Sequence, residues 1–443
     1  MSNKEKNQKS IPTSKVKRAA KIAGTSFKVG GNYVKYYSKK AFNKSHTKDE
    51  LHKDNAEDIY ESLSELKGSA LKVAQMMSMD EQVLPTAYQE KFSLAQFSAP
   101  ALSYPLISRT FKKSLGKTPN EVFDTFTKEA VNAASIGQVH KAELNSKELA
   151  VKIQYPGVAE SISSDLRLVK PLAARLFNMN TSDLNMYMEE VESKLIEETD
   201  YQLELERSQK ISGLCSNLNG LRFPNYYPEF STERILTMDW MHGEMFSDFV
   251  QREKNQSKKN EIGQKMWDFF LFQMRDLKIV HADPHPGNFI IDKDNNLCVL
   301  DFGCVKEIPD HFAENYYQLL RPDILNYPKE LDEIYTNMNF FRVDDSENDK
   351  VKLRSAYQKM ISVLALPFHS STFDFSDEVY FKKIFTMGDE FSKDKDLRKL
   401  NNARGSKDAI YIMRTFFGLY NLLHQLKATV KLNYPLFDYK KAG

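Results

Sequence analysis

The hydrophobic positions of this chain repeat with two different periods, which predicts both helices and strands. Between 54 and 79 they recur every three or four residues and predict a helix with Ile59, Leu63, Leu66, Ala70, Val73 and Met77 on one face. Short apolar runs at 122–126, 138–144 and 148–153 predict strands, and Asn145-Ser-Lys147 predicts a hairpin turn between the last two. Helical spacing returns at 159–179 and from 181 to about 216. A further strand is predicted at 234–241, before a helix-rich remainder.

The first 48 residues are strongly basic, with thirteen Lys and Arg against one acid, a net charge of +12. The rest of the chain therefore carries −10, since the whole chain carries +2. A helical pattern of apolar residues runs through this segment, although three glycines weaken the helix prediction. Its members are Val16, Ala20, Ala23, Phe27, Val34 and Tyr37. Such a segment suits an anionic membrane surface, and a flexible solvated tail is the equally open alternative. We expect no nucleic-acid partner, because no nucleic-acid-binding motif accompanies the charge.

The composition is that of a folded protein of two or three domains, with 41% hydrophobic and 12% aromatic residues in 443. Its three cysteines form no metal-ligand or disulfide pattern, so we expect a reducing, cytoplasmic location, with peripheral membrane attachment left open. No apolar run reaches the roughly 18 residues of a membrane span. The start of the chain does not predict a secretory signal, and residues 409–423, interrupted by Arg414, predict a core helix.

The strongest chemical signal is His281-Ala-Asp283-Pro-His285-Pro-Gly-Asn288, followed by Asp301-Phe-Gly303. In this order Asp283 can orient or deprotonate an attacking hydroxyl, while Asn288 and Asp301 offer hard oxygen ligands to Mg²⁺. Between them, apolar residues 289–291 and 297–300 predict a short hairpin that holds the two ligand-bearing ends close together. The alternative is a solvated polar loop followed by a chance Asp-Phe-Gly.

A lysine in a predicted strand is the second candidate. Lys152 lies on the opposite strand face from Leu149, Val151 and Ile153, so it can reach α- and β-phosphates. It needs a helix carboxylate as partner, for which we select Glu204, although periodicity does not distinguish it from its acidic neighbours. The strand predicted at 234–241 would supply an apolar wall for adenine, with Met238 and Met241.

This order of elements predicts an α+β, two-lobed, protein-kinase-like fold. Residues 1–50 form the basic segment, 51–118 a helical extension, 119–242 the N-lobe, and 243–443 a helix-rich C-lobe with the catalytic and metal-binding loops. The expected phosphate loop contains Ala133, Ala134, Ser135 and Gly137 where a protein kinase has several glycines. No Ala-Pro-Glu follows Asp301-Phe-Gly303 either, so we do not expect an ordinary Ser/Thr/Tyr kinase.

Five ordered motifs over roughly residues 55–310 resemble the UbiB/AarF family of atypical kinase-like proteins. They begin at Ala133, Ala150, Glu198, His281 and Asp301. The resemblance implies that the helical extension lies over the site where a protein substrate would dock. It also implies that Lys72 and Gln75 match the family's Lys-x-Gly-Gln signature, that Lys72 pairs with Glu198 of the Glu-x-Asp motif ending at Asp200, and that Lys152 pairs with Glu204. On one regular helix Glu198 and Glu204 would differ by about 240°. Two residues depart from the family pattern: Ala74 replaces the signature glycine, and Asn132 replaces an alanine of the loop.

The resemblance implies binding of ATP or ADP with Mg²⁺, and ATPase or phosphotransfer activity. It also suggests support of isoprenoid-lipid or quinone metabolism at a membrane surface. The partners are then a nucleotide and, as open alternatives, anionic membrane, isoprenoid lipid or lipid-biosynthesis enzymes. The rival functions are a non-enzymatic, nucleotide-gated binding module, a protein kinase and, less favoured, a small-molecule phosphotransferase.

Overall fold

The computed structural model describes residues 15–41, 48–66, 88, 91, 102–133, 136–177, 181–394, 397, 400, 404 and 407–432. Five of the predicted site residues or their neighbours lie outside this set: Lys72, Ala74, Gln75, Ala134 and Ser135. The described chain forms two compact units, one from residues 1–206 with 225–240, the other from 207–224 with 241–443.

The first unit contains a five-stranded antiparallel sheet in the order β1-β3-β4-β6, with β2 also paired to β3. Its strands are β1 (Thr125–Phe126), β2 (Asn132–Ala133), β3 (Gly137–Leu144), β4 (Lys147–Gln154) and β6 (Ile235–Asp239). The predicted β3–β4 hairpin is present, and Asn145 and Ser146 at its turn have φ of 52° and 61°. Positive φ at both central residues matches the right-handed twist of the paired strands.

The prediction of a strand at 122–126 is wrong for its first residues. Only Thr125–Phe126 is a strand, because residues 119–122 form a helical turn that Thr118 caps. Both the backbone N–H and the hydroxyl of Thr118 donate to the Glu121 carboxylate at 2.6 Å. These two hydrogen bonds stabilise the helical turn that takes the place of the first residues of the predicted strand.

The helices of the first unit include the predicted basic helix, which is continuous despite Gly24, Gly30 and Gly31. They are α1 (Lys15–Ala41), α2 (Lys48–Leu66), α3 (Tyr104–Leu115), α4 (Pro119–Val122), α5 (Val158–Phe177), α6 (Thr181–Glu198) and the first residues of α7 (Tyr201–Leu214). Helices α1 and α2 pack together, with Thr25 and Val29 of α1 buried and Asn32 donating to Asn55 and Asp58.

The single helix predicted from 181 to about 216 is two helices. The break falls at Thr199-Asp200, where the Asp200 carboxylate accepts from the backbone N–H groups of Gln202 and Leu203, both at 3.1 Å. This is N-cap geometry, in which a short acidic side chain satisfies the first donors of a new helix. Glu198 therefore ends α6 and Glu204 lies in α7, so the 240° expected on one regular helix does not apply.

The second unit carries short strands and most of the remaining helices. Strands β5 (Leu221–Arg222), β10 (Leu297–Val299), β9 (Phe289–Ile291) and β7 (Glu244–Met245) form one sheet in that order. Two smaller pairs are β8 (Ile279–His281) with β11 (Val305–Glu307), and β12 (Thr372–Asp374) with β13 (Thr429–Lys431). The helices are α8 (Phe246–Arg252), α9 (Gln256–Phe272), α10 (Asp310–Gln318), α11 (Pro328–Asn337), α12 (Glu347–Leu364), α13 (Glu378–Lys393) and α14 (Lys407–Leu426).

The core of the second unit is aromatic. Trp267 of α9 is fully buried against the rings of Phe368, Phe375 and Tyr420. The predicted core helix at 409–423 is confirmed, because α14 buries Ile412, Leu419 and Leu423 completely. Among the described helices, none is long and apolar enough to cross a membrane.

Candidate functional site

In the first unit, the structure brings Lys152 and Glu204 together. Lys152 lies in the middle of the sheet, on β4 opposite Leu236 of β6, and its ammonium donates to both Glu204 carboxylate oxygens at 2.8 and 2.9 Å. The side chains are 11% and 2% exposed. Burial makes the pair important, since removing one partner of a buried ion pair leaves a charge in a medium that solvates it poorly.

Tyr201 is a residue of this region that sequence reasoning missed, although it stands inside the motif Glu198-Thr-Asp-Tyr201. Its fully buried ring lies 4.9 Å from the Lys152 ammonium, close enough for a cation–π interaction. Its hydroxyl also explains Gly137. A Cβ at that position would lie 2.7 Å from the hydroxyl and 2.8 Å from the Ile153 carbonyl. Gly137 is thus required by close packing at the start of β3.

A second unpredicted cluster lies further along β3. His140 donates from Nδ1 to the Thr127 carbonyl at 2.7 Å, and its Nε2 accepts from the Gln138 side chain at 3.0 Å. The Gln138 amide oxygen accepts from the backbone N–H of Leu102 at 2.7 Å. Both side chains are fully buried. This chain of hydrogen bonds requires a neutral imidazole, and burial lowers the pKa of His140 accordingly.

The remaining candidate residues lie on several different elements. Asn132 and Ala133 form β2, which pairs with β3 across from Val139 and Gln138. Asp200 caps α7, as described above, and Glu198 is half-buried at the end of α6. The pairing of Glu198 with Lys72 stays a prediction, because Lys72 lies outside the described residues. Met238 is buried in β6 opposite Ala150, in the first unit's core. Met241 follows β6 and belongs to the second unit.

In the second unit, the hairpin expected between the two metal-ligand candidates is present. Strands β9 and β10 pair antiparallel, with Leu297 opposite Ile291 and Val299 opposite Phe289. Asp292 shapes the turn by accepting from the backbone N–H groups of Asp294 and Asn296. The ladder continues past the strands, because the backbone N–H of Leu300 donates to the Asn288 carbonyl at 3.0 Å. Asn288 therefore lies across from the residue that precedes Asp301.

Hydrogen bonds also fix Asp283 relative to Asn288. The side-chain amide of Asn288 donates to the Asp283 carbonyl at 3.0 Å, and Asp301 accepts from the backbone N–H of Gly303 at 2.6 Å. The side-chain oxygen of Asn288 thus points away from its hydrogen bond to the Asp283 carbonyl. Asn288 and Asp301 are oxygen donors of the kind Mg²⁺ prefers. Among the described residues no three His, Cys, Asp or Glu side chains converge as a metal site, so phosphate and water oxygens would have to complete the coordination.

The His281 side chain joins the segments that carry Asp283 and Asp301. Its fully buried ring donates from Nε2 to the Asp301 carbonyl at 2.8 Å and accepts at Nδ1 from the Asp283 backbone N–H at 3.4 Å. Because a carbonyl can only accept, the proton lies on Nε2 and the ring is neutral. Burial lowers the pKa of His281, against the opposing effect of the Asp283 and Asp301 charges. The sequence showed His281 within the motif but did not indicate this role.

Comparison with known proteins identifies the chain's relatives. Residues 94–330 match the family model of the ABC1 atypical kinase-like domain. The chain is 30% identical to the atypical kinase COQ8, mitochondrial, of Saccharomyces cerevisiae over 97% of this chain and 86% of that protein. It is also 30% identical to the probable serine/threonine-protein kinase abkA of Dictyostelium discoideum, over 71% of this chain and 57% of that one.

A solved structure shares the fold. Rv3197 of Mycobacterium tuberculosis, determined as an erythromycin complex, superposes with a TM-score of 0.58 at 24% identity, covering 88% of this chain and 95% of that one. The expected α+β, kinase-like fold is confirmed by this neighbour together with the family match. Membership of a kinase-like family also implies nucleotide binding. The motifs, the fold and the similarity to COQ8 agree: the chain belongs to the UbiB/AarF (ABC1) family of atypical kinase-like proteins.

Proposed function

We propose that this protein binds ATP with Mg²⁺ and catalyses ATP hydrolysis or phosphoryl transfer. The observation that carries the proposal is the second-unit hairpin, which places Asn288 beside the residue preceding Asp301 and ties the Asn288 amide to the Asp283 backbone. One base candidate and two oxygen ligands for a cation are thus held by the same short loop and hairpin. A solvated polar loop would not need these cross-connections.

Each residue then has a defined task. Lys152, fixed by Glu204, would bind phosphate oxygens of ATP or ADP. Asn288 and Asp301 would hold Mg²⁺, which would supply positive charge for phosphate oxygens. Asp283 orients the attacking water or hydroxyl and accepts its proton. The oxygen of that group bonds to the γ-phosphorus, while the bond to the bridging oxygen of ADP breaks. Neutral His281 holds the backbones of Asp283 and Asp301 in place.

The proposal extends to a membrane surface through α1. The face of α1 opposite the buried Val29 exposes Phe27 and Val34, which are 83% and 70% exposed, and Tyr37 lies near them at 64%. Seven residues separate Phe27 from Val34, about 20° around a helix, so they share one face. Lys28 and Lys35 pair with Asp58 and Asp54 of α2, so the attraction for anionic lipid comes from the segment's whole charge rather than from these two.

Family membership supports a role in isoprenoid-lipid or quinone metabolism, or with lipid-biosynthesis enzymes. No individual residue of the structure carries that part of the proposal. The second candidate function is a nucleotide-gated binding module without turnover. The buried Lys152–Glu204 pair and the hairpin between Asn288 and Asp301 would serve such a module equally well. Only a measurement of turnover therefore distinguishes the two functions.

The test of the enzyme function is phosphate release from ATP by the purified protein, with Mg²⁺ and with excess chelator. We expect Mg²⁺-dependent release that Asp301→Asn abolishes and that Asp283→Asn strongly reduces. The matched control is Asp276→Asn, the same chemical change at an exposed second-unit position paired with Arg275. Nucleotide binding without release in any variant would support the binding module instead. Release that survives Asp301→Asn would contradict the assignment of the metal ligand.

The test of the membrane surface is sedimentation with vesicles of phosphatidylcholine alone or containing phosphatidylglycerol. We expect the protein to bind the anionic vesicles and the Phe27→Ser/Val34→Ser variant to lose most of that binding. Val379→Ser removes an apolar side chain that is also well exposed, at 63%, from the second unit and should change nothing. Equal binding by all three proteins, or none by the wild type, would exclude α1 as the contact.

A further inference from the structure

The helix α14 packs directly on the loop that carries Asp283. At the contact, Gly418 of α14 faces Pro284. A Cβ built at Gly418 would lie 3.1 Å from the Pro284 carbonyl oxygen and 3.3 Å from its Cβ, and nearer still to its Cγ. Carbon atoms in contact normally lie 3.5–4.0 Å apart. A side chain at this position therefore requires the helix or the loop to move.

A second contact of α14 reaches the strand that follows Asp301-Phe-Gly303. Lys306 of β11 pairs with Asp408 at 2.6 Å, and its ammonium lies 5.5 Å from the Tyr411 ring. Strand β11 pairs in turn with β8, where Val305 lies opposite His281. Asp408 and Gly418 are about 15 Å apart along the helix, at 1.5 Å per residue. One helix thus contacts both segments that flank the proposed metal ligands.

The other side of α14 is fixed in the core of the second unit. Leu419 is fully buried, and the Tyr420 hydroxyl donates to the Leu364 carbonyl at 2.9 Å while its ring packs on Trp267. The Phe416 ring packs against Phe368 as well. Because interiors are close-packed, the helix has little room to retreat from the loop. A clash at Gly418 is therefore relieved mainly by displacement of Pro284.

We propose that α14 is a positioning element for the catalytic loop, and that Gly418 sets the distance at which Pro284, and so Asp283, is held. The effect extends to Asn288, because its amide donates to the Asp283 carbonyl. The inference rests on the proposed function for the role of Asp283 in turnover. The placement of the loop itself is measurable without any activity.

The test compares Gly418→Ala with Leu331→Ala, a substitution in α11 that loosens the same core. Alanine in place of a helical glycine is stabilising by about 1 kcal/mol when nothing clashes. Gly418→Ala meets Pro284. Leu331→Ala removes a fully buried side chain from a helix other than α14 and outside the catalytic loop, at a cost of about 2–5 kcal/mol. Leu331→Ala therefore controls for a general loss of packing.

The measurement is amide hydrogen exchange in peptides covering 281–289, together with steady-state ATP hydrolysis. We expect Gly418→Ala to raise exchange there by roughly tenfold, a local opening that Leu331→Ala does not produce. Where turnover is present, a loop displaced by on the order of 1 Å should lower kcat about 10- to 100-fold while KM for ATP changes little. Removing the ring by Pro284→Ala in the Gly418→Ala background should return exchange most of the way to the level of Pro284→Ala alone, because the closest contact, to Cγ, is then gone while those to the carbonyl oxygen and Cβ remain.

Unchanged exchange in Gly418→Ala, or an equal rise in Leu331→Ala, would overturn the proposal. An inactive wild type with the expected exchange pattern would support the positioning role of α14 and refute the ATPase function, so the two failures are distinguishable.

Discussion

Replacing Glu204 by alanine takes away the carboxylate that binds the Lys152 ammonium through two hydrogen bonds of 2.8 and 2.9 Å. Since the two side chains are only 11% and 2% exposed, water cannot replace the lost partner. Breaking a buried ion pair from one side costs about 3–5 kcal/mol. For a unit of this size, that corresponds to a fall in melting temperature of roughly 6–20 °C.

The assay is urea denaturation followed by circular dichroism, with an exposed ion pair of the same sheet as control. Lys141 and Glu148 form a diagonal ion pair across β3 and β4 with side chains 34% and 37% exposed, and Glu148→Ala should cost about 1 kcal/mol or less. The double variant Lys152→Met/Glu204→Leu should be more stable than Glu204→Ala, because no charge then remains buried. If Glu204→Ala costs no more than Glu148→Ala, the argument from burial is wrong.

Three further predictions concern the folding of each unit. Gly137→Ala should lower the free energy of unfolding by about 1–3 kcal/mol through its clash with Tyr201 and Ile153, measured by urea denaturation, and a neutral effect would contradict the packing. Because burial lowers the pKa of His140, unfolding takes up a proton below about pH 6.5, so stability should fall as the pH drops through that value. Denaturation between pH 5 and 8 should show a shallower fall for His140→Gln; an unchanged slope would refute this role. Asp345→Ala removes the partner of Arg404 in a pair with side chains 5% and 4% exposed, and should cost about 3–5 kcal/mol, whereas the exposed Asp276→Ala should cost little.

The features that the sequence predicted well are those set by neighbouring residues. The hairpin between Asn288 and Asp301 follows from two apolar runs and a polar turn, and the β3–β4 hairpin from Asn145 and Ser146 at its tip. Both depend on backbone preferences within a few residues. The sequence likewise predicted that α1 is amphipathic. The structure shows that its apolar face is exposed, while a different face packs on α2.

The features that the sequence missed depend on contacts between distant residues or on competition between local signals. Nothing near Gly418 reveals that Pro284 packs against it. Tyr201 reads as an ordinary core aromatic until its ring is seen beside the Lys152 ammonium. The break at Asp200 arose because a side-chain cap prevailed over continuous helical periodicity, as did the cap at Thr118 over the strand pattern.

Magnesium-dependent nucleotide binding tests the central claim most directly. ATP should raise the melting temperature of the wild type further with Mg²⁺ than with chelator, since a ligand bound only by the folded state stabilises it by an amount that grows with the logarithm of its affinity. Asp301→Asn should lose the Mg²⁺-dependent part, and Asp276→Asn should keep it. A wild type whose melting temperature is indifferent to ATP and Mg²⁺, or an Asp301→Asn variant that responds as fully as the wild type, would contradict the account.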